Sequence, residues 1–275
     1  MSHHASWSKF LFMKKFLLLP LAALSFHFTS CAPVAPDTGA NGQVIVQRPS
    51  NSLVQQGLKE FASIKSKKRI SHNSTYNAQT QRVAARLKKV IIMPGARWEF
   101  VVFEDPTPNA FALPGGKVGI HTGLFQITKN DAGLAAVLGH EISHVTRNHA
   151  GARQKRTMGL ALGGLVLDQV LGKGKSKTER AKMAAGYGTL ATVGLALPFS
   201  RKAELEADRI GALYMAKAGY NPTEAVTMWQ RFAAYKQKNS SKKTPEFLST
   251  HPLDSTRINA LRAYLPTAMK EYNRR

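Results

Sequence analysis

The sequence predicts a mainly α-helical domain with a small antiparallel β element. Apolar residues recur at helical spacing along most of the chain after residue 50. The run 98–104 (WEFVVFE) is instead rich in aromatic and β-branched residues, as a strand would be. A Pro-Gly-Gly triplet at 114–116 separates two short segments that can form a hairpin. With 275 residues, 43% of them hydrophobic, the chain can bury one sizeable core.

The N-terminal segment has the pattern of an export signal. Lys14 and Lys15 precede an apolar run over residues 16–26, which is too short to cross a bilayer. Small residues then lead to Cys31, the only cysteine, in an arrangement that resembles the bacterial lipobox, although Phe28 replaces the usual leucine. We therefore predict export and attachment to the outer membrane through a lipid on Cys31. The alternative is an ordinary signal peptide with an incidental cysteine.

Composition divides the chain into three parts. Residues 1–30 form the N-terminal extension and signal, and residues 31–50, rich in Pro, Gly, Ala and polar residues, form a flexible tether. Residues 51–275 form the folded domain. Its first elements are predicted as helices over 53–64 and 83–91, the strand 98–104, hairpin strands 109–113 and 117–121, and a short helix over 122–129.

The charge is strongly basic. Lys and Arg total 39 against 16 Asp and Glu, a formal net charge of +23. This excess suggests contact with an anionic surface such as phospholipid head groups or lipopolysaccharide. The alternative is a solvated surface with no dedicated partner. We expect no nucleic-acid partner, because the basic residues are scattered and no nucleic-acid-binding module is present.

The segment 134–150, LAAVLGHEISHVTRNHA, contains an H-E-x-x-H string within a predicted buried helix. His140 and His144 lie four residues apart, so both imidazoles can reach one metal ion. Glu141 lies about 100° around the helix axis, where its carboxylate can take a proton from an activated water. Gly139 leaves room for a substrate or another element. The alternative is a buried helix whose histidines are only hydrogen-bonded.

Two apolar, Gly/Ala-rich runs follow at 158–167 and 183–197. Both are shorter than a bilayer span, so we predict helices that pack on the core, with a membrane-dipping hairpin as the alternative. The next predicted helix begins near Ser200 and ends at Gly219. Further helices are predicted over 221–236 and from Ser255 onward.

The helix after Ser200 supplies a third metal ligand. Catalytic zinc takes three protein ligands and keeps one position open. Glu204 and Asp208 lie on one face, so Glu204 can bind the metal while Asp208 accepts a hydrogen bond from a ligand histidine. Glu206 competes with Glu204 on chemistry alone, but it points about 200° away, so both cannot face the metal.

Four segments in order, NAFALPGG, HEISHVTRNHA, SRKAELEADRIG and STHPLDSTRI, resemble signatures of the HtpX-like and CAAX prenyl endopeptidase-like zinc metallopeptidases. The resemblance covers 79–264 and is closest in layout to bacterial lipoprotein members such as LoiP and BepA, without the repeat domain. It implies a zincin-like peptidase domain over 51–275 that binds one Zn²⁺. The implied roles are metal ligands for His140, His144 and Glu204, general base for Glu141, and support of the ligands for Asp208.

Other polar residues have predicted places near this site. His251, in the THP segment, is predicted to approach the metal, either stabilising the oxyanion as a catalytic residue or taking the fourth metal position. Arg257 is predicted to pair with an acid near the site or with a substrate carboxylate. His149 lies off the ligand face of the predicted helix, so a structural role is expected.

The hairpin leaves an edge strand, and metallopeptidases often bind an extended substrate backbone along such an edge. Asn109 and Phe111 are therefore predicted to bind substrate. Phe111 or His121 could lie near this groove; the alternative is core packing for Phe111, and surface exposure is the expectation for His121.

These features predict a zinc-dependent endopeptidase at the periplasmic face of the bacterial cell envelope. Its predicted substrates are unfolded or misfolded envelope proteins. The alternative is a non-catalytic or latent envelope chaperone or assembly factor that holds clients in the same groove. A hydrolase of non-peptide substrates is disfavoured by the edge strand.

Overall fold

The computed structural model describes residues 37–39, 42–239 and 246–274. The predicted signal, Cys31 and residues 240–245 lie outside the described residues. Within the described part the helices are α1 Asn51–Lys67, α2 Ser74–Val90, α3 Phe125–Thr128, α4 Asp131–Thr146, α5 His149–Leu171, α6 Lys177–Leu190, α7 Leu197–Lys217, α8 Thr223–Lys238, α9 Glu246–Thr250 and α10 Ser255–Tyr272. The strands are β1 Glu99–Phe103, β2 Ala110–Leu113 and β3 Lys117–His121. The predicted mainly α fold is confirmed.

The three strands form one sheet in the order β1-β3-β2. The predicted hairpin is present: β2 and β3 are antiparallel, and Gly115 and Gly116 turn the chain with φ of 92° and 83°, values that favour glycine. β3 lies between β2 and β1 and pairs with β1 in parallel. The sheet is therefore mixed: the predicted antiparallel hairpin is present, and β1 adds a parallel pairing that was not predicted.

Helix α4 runs through the centre of the domain. Leu134, Val137, Leu138 and Ile142 are all fully buried, and α4 packs against α2, α7, α8 and β2. It crosses α7 where two glycines meet: a Cβ on Gly139 would lie 2.9 Å from the Gly211 carbonyl oxygen. The close approach predicted at Gly139 is confirmed, and the approaching element is α7.

The predicted unbroken helix over 134–150 is interrupted. α4 ends at Thr146, and Asn148 adopts a left-handed conformation with φ of 50°. Asparagine tolerates this conformation better than most residues, and its side chain accepts a hydrogen bond from the Gly151 N–H to start α5. The chain therefore changes direction directly after the H-E-x-x-H string.

The two apolar runs after this break are helical, but they do not pack on the core as predicted. In α5 only His149 and Gly151 are buried, and α6 has no buried residue. α6 continues through a π-helical segment, Ala191–Ala196, into α7, so the predicted helix start at Ser200 is wrong. Among the described residues, no helix combines the length and apolarity needed to cross a membrane.

The described part of the predicted tether lies against the domain. The Gln47 N–H donates to the Thr146 carbonyl at 2.7 Å, and Arg147 Nη1 donates to the Ile45 carbonyl at 2.6 Å. The Asp37 carboxylate pairs with Arg209 at 3.0 Å. These contacts connect the N-terminal segment to the end of α4 and to α7.

Candidate metal centre and active site

The crossing of α4 and α7 brings the three predicted metal ligands together. His140 Nε2 and His144 Nε2 are 3.1 Å apart. One Glu204 oxygen lies 3.4 Å from His140 Nε2, and the other lies 3.4 Å from His144 Nε2. Tetrahedral zinc with bonds of about 2.0–2.1 Å places its ligand atoms about 3.3 Å apart. The donor set and its spacing therefore fit a zinc-sized divalent cation.

His251 joins this cluster from the segment after α9. Its Nδ1 lies 3.2 Å from His140 Nε2 and 3.1 Å from Glu204 Oε2. Ligand atoms of His140, His144, Glu204 and His251 all lie within 4.8 Å of one another. The THP segment thus approaches the metal group as predicted, and its position is compatible with both predicted roles of His251.

Glu141 is buried beside the cluster. Among the described residues its Oε1 has no hydrogen-bond donor, and His251 Nε2 lies 3.3 Å from it. Burial raises the pKa of the Glu141 carboxyl, and the nearby histidines and the Ala112 backbone N–H oppose this effect. A buried carboxylate oxygen without a donor is costly, so this atom is placed to take a hydrogen bond from a water or a substrate.

Asp208 orients the first histidine. Its Oδ1 lies 2.9 Å from His140 Nδ1, as predicted. Arg257 donates to both Asp208 oxygens, at 2.8 and 2.7 Å, and lies 3.1 Å from Glu204. Burial alone would raise the pKa of Asp208, but Arg257 and His140 outweigh it and lower the pKa. The predicted pairing of Arg257 with an acid near the site is present.

A second network of side-chain contacts supports His144, and the sequence analysis did not predict it. His149 Nδ1 lies 2.8 Å from His144 Nδ1, and His149 Nε2 lies 2.9 Å from Glu206 Oε2. Arg147 then donates to Glu206 Oε1 at 2.7 Å. The prediction that His149 lies off the ligand face assumed an unbroken helix, whereas the break at Asn148 turns His149 back toward His144. Glu206 therefore faces this network and not the metal group.

The cluster opens into a cavity of about 720 Å³. Strand β2 forms one wall, and both Asn109 and Phe111 line the cavity. The His121 N–H donates to the Asn109 carbonyl, so Asn109 belongs to a hydrogen-bonded pair of the β2–β3 ladder. Because hydrogen-bonded residues alternate along an antiparallel strand, the N–H and C=O groups of Ala110 and Ala112 point away from β3, toward the open edge of the sheet. The predicted edge strand thus lies beside Glu141.

Two neighbouring side chains differ in their surroundings. Phe111 packs between Phe61 and Phe103 while still lining the cavity, so both roles considered for it are compatible with its position. His121 is only 1% exposed, so the expectation of surface exposure is wrong. Lys68 and Thr107 contact its two ring nitrogens, and the residue lines the cavity beside β2.

The sequence profile of Peptidase family M48 matches residues 74–265. The chain belongs to peptidase family M48. The predicted assignment to a metallopeptidase family is thereby confirmed. The helical fold with its small sheet and its His, His, Glu cluster agrees with this membership.

Several M48-type relatives are similar over much of this chain. The mitochondrial metalloendopeptidase OMA1 of Schizosaccharomyces pombe is 36% identical over 70% of the chain and 55% of its own length. The beta-barrel assembly-enhancing protease of Escherichia coli K12 is 36% identical over 58% of the chain and 33% of its own length. Human OMA1 is 27% identical over 96% of the chain and 51% of its own length. The chain thus spans between a third and just over half of these relatives.

Proposed function

We propose that this M48 chain is a zinc-dependent endopeptidase. The observation that supports this most strongly is the juxtaposition, at the α4–α7 crossing, of two imidazoles and one carboxylate with a second, hydrogen-bond-deficient carboxylate beside them. His140, His144 and Glu204 would hold the zinc ion. When bound, zinc supplies Lewis-acid polarisation of the scissile carbonyl and lowers the pKa of a water molecule.

The side chains around the metal ligands have separate roles in proton transfer and in substrate binding. Glu141 accepts a proton from the attacking water and delivers it to the leaving amine, since its buried Oε1 has no hydrogen-bond donor within the described part of the chain. An extended substrate pairs with the open edge of β2 through the backbone groups of Ala110 and the carbonyl of Ala112, since the Ala112 N–H already donates to Glu141. Asn109 and Phe111 shape the wall of the cavity where substrate side chains enter.

The test is the substitution Glu141→Gln. We expect cleavage of an unfolded substrate such as casein to fall by at least about a thousand-fold while zinc content stays unchanged, because the amide cannot accept the proton. Glu60→Gln is the matched control, since Glu60 lines the same cavity but is not one of the four clustered ligand residues, and it should retain activity. Full activity of the Glu141→Gln protein would refute the general-base role.

A second candidate function is a latent or non-catalytic factor that holds unfolded clients in the same cavity. The position of His251 within the metal group supports it, because four protein ligands would close the site to substrate. Zinc content and casein cleavage of His251→Ala separate the alternatives. If His251→Ala keeps its zinc and cleaves casein faster than wild type, the enzyme is latent. If it keeps its zinc and loses activity, His251 stabilises the oxyanion. If neither wild type nor the variant cleaves casein, the zinc is structural.

We also propose that the enzyme acts in the bacterial cell envelope on unfolded or misfolded proteins. The support is the export-signal pattern before Cys31 together with the similarity to the beta-barrel assembly-enhancing protease of Escherichia coli. Other relatives are mitochondrial, so fractionation of the native host is the deciding measurement. Substrate trapping with the Glu141→Gln protein would identify the clients.

A further inference from the structure

The α5–α6 hairpin carries apolar surface that no described part of the protein covers. In α5, Met158, Leu162, Leu165 and Val166 are each 60–63% exposed. They are spaced i, i+4, i+7 and i+8, so they share one side of the helix. We call these four residues the apolar face of α5. Contiguous exposed apolar surface of this kind marks a site of interaction.

The apolar face of α5 points away from its partner helix. Tyr187 of α6 packs over Gly163 and Gly164, where a Cβ would lie 2.4 and 3.2 Å from its ring or hydroxyl, and its hydroxyl donates to the Leu160 carbonyl at 2.8 Å. These three α5 residues lie on roughly the opposite side of the helix from the apolar face. The hairpin is therefore closed on its inner side and open on its outer side.

The charge of the hairpin identifies the kind of partner. Residues 149–197 contain eight Lys or Arg and two acidic residues. Both acidic residues are engaged within the hairpin, since Asp168 pairs with Arg180 and Glu179 caps the N-terminus of α6 at Ser176. Lys173 and Lys175 in the turn between the helices and Lys177 at the start of α6 are exposed, and we call these three residues the basic turn. Lys155 adds a further exposed cation one turn before Met158.

We propose that this surface binds the interface of a membrane containing anionic phospholipid. Apolar side chains of α5 would enter the boundary between head groups and acyl chains, while the flanking lysines contact the head-group phosphates. A second copy of the chain is disfavoured as the occupant, because it would present the same positive charge. A neutral or cationic client would likewise leave the basic turn without a counter-charge.

The placement of the hairpin connects this surface to the active site. Arg153, Arg156 and Leu160, in the first turns of α5, line the catalytic cavity, and Leu197 and Ser200 line it from the start of α7. Membrane contact along the rest of α5 therefore places the cavity mouth close to the membrane surface. This inference does not depend on peptidase activity, because its test measures contact with vesicles and no cleavage.

The experiment places a reporter on the apolar face of α5. Cys31 is the only cysteine, so the full chain carrying Cys31→Ser and Val166→Cys can be labelled at one position with a polarity-sensitive thiol fluorophore. The matched control carries Ile92→Cys, because Ile92 is 53% exposed on the catalytic domain. Vesicles of phosphatidylcholine with phosphatidylglycerol are compared with vesicles of phosphatidylcholine alone.

We expect a blue shift at position 166 with the anionic vesicles, none at position 92, and loss of the shift in high salt. Replacing all three lysines of the basic turn with Gln should weaken vesicle binding by about ten- to a hundred-fold. The proposal is overturned if position 166 does not respond or if both positions respond equally. It is also overturned if the shift appears without vesicles as protein concentration rises, or only on addition of unfolded casein.

Discussion

The imidazole of His140 is fixed at both of its nitrogens. Nε2 faces the metal group, and Nδ1 lies 2.9 Å from Asp208, which Arg257 holds with two hydrogen bonds. Burial alone would lower the pKa of His140, but Asp208 and Glu204 outweigh it and raise the pKa to about 9. Asp208 therefore sets both the orientation of this ring and its electrostatic environment.

Asp208→Asn should weaken zinc binding by about 10- to 100-fold, because an amide neither holds the His140 ring as strongly nor balances the charge of Arg257. Competition with a chelator of known zinc affinity measures the change. Asp168→Asn is the control, since Asp168 lies in the α5–α6 hairpin and pairs with Arg180. Unchanged affinity in Asp208→Asn would show that Asp208 does not support the ligand.

Asp105 provides a pH-dependent contribution to stability away from the metal group. Burial alone would raise the pKa of Asp105, but hydrogen bonds from Lys68 and Thr107 outweigh it and lower the pKa from 3.8 to about 2. A lowered pKa in the folded state means that the ionised carboxylate stabilises the fold. This stabilisation is complete above the unfolded-state pKa and is lost as pH falls through about 2.

We therefore expect Asp105→Asn to lower the free energy of unfolding by about 1–2 kcal/mol at neutral pH. The difference from wild type should shrink below about pH 4, as the wild-type carboxylate becomes protonated. Urea unfolding of both proteins across this pH range measures it. A difference that stays constant down to pH values near 2 would contradict the assignment.

Among the elements, the α4–α7 crossing determines the geometry of the site. The two helices touch through backbone atoms: a Cβ on Gly211 would lie 2.9 Å from the His140 nitrogen and 3.1 Å from the Gly139 carbonyl carbon. Backbone atoms cannot rotate away as a flexible side chain can. Any side chain at this position therefore separates the helix that carries the histidines from the helix that carries Glu204.

Gly211→Ala should lower the free energy of unfolding by about 1–3 kcal/mol and weaken zinc binding, because the helices must move apart. Gly159→Ala in α5 is the control: nothing lies within 4 Å of a Cβ there, so the substitution should be neutral or stabilising by about 0.5–1 kcal/mol. Thermal unfolding with and without zinc measures both effects. Equal behaviour of the two variants would show that the crossing is not tight.

The sequence predicted the elements that carry the site better than those around it. Helical spacing and the H-E-x-x-H string located α4, and the strand and hairpin patterns located β1, β2 and β3 within one residue at each end. The break at Asn148 was missed because a left-handed asparagine leaves no periodic signal. The contact between His149 and His144 depends on that break, so it was missed as well.

The α5–α6 hairpin was mispredicted for a different reason. Apolar composition indicates that a helix will be covered, but it does not indicate what covers it. The runs at 158–167 and 183–197 were therefore assigned to the core, whereas Leu162 and Leu165 are exposed.

The parallel pairing of β1 with β3 was also not predicted. It depends on which strand lies in the middle of the sheet, and local sequence patterns do not encode this order.

For the whole molecule, the proposed lipid on Cys31 and the α5–α6 surface would form two separate membrane contacts. Two linked contacts hold a protein at a membrane more firmly than either contact alone, because the second binding event is intramolecular. Cys31 precedes Asp37, which pairs with Arg209 on α7, by six residues that span at most about 20 Å. A lipid at Cys31 would therefore keep the catalytic domain near the membrane.

Intact-mass analysis of the protein purified from its host membranes should show a mature chain that begins at an acylated Cys31. Cys31→Ser should shift the protein toward the soluble fraction, because only the contact through α5 remains. A mature N-terminus elsewhere, or a Cys31 without added acyl mass, would contradict the lipidation and leave the proposed α5 contact to be judged by its own experiment.

The central claim is that α4 and α7 together bind one zinc ion through His140, His144 and Glu204. The most direct test compares the zinc content of purified wild type, Glu204→Ala and Glu206→Ala after loading and removal of free metal. We expect about one zinc per chain in wild type and Glu206→Ala, and almost none in Glu204→Ala. A wild type without zinc, or a Glu204→Ala protein that retains it, would contradict the claim.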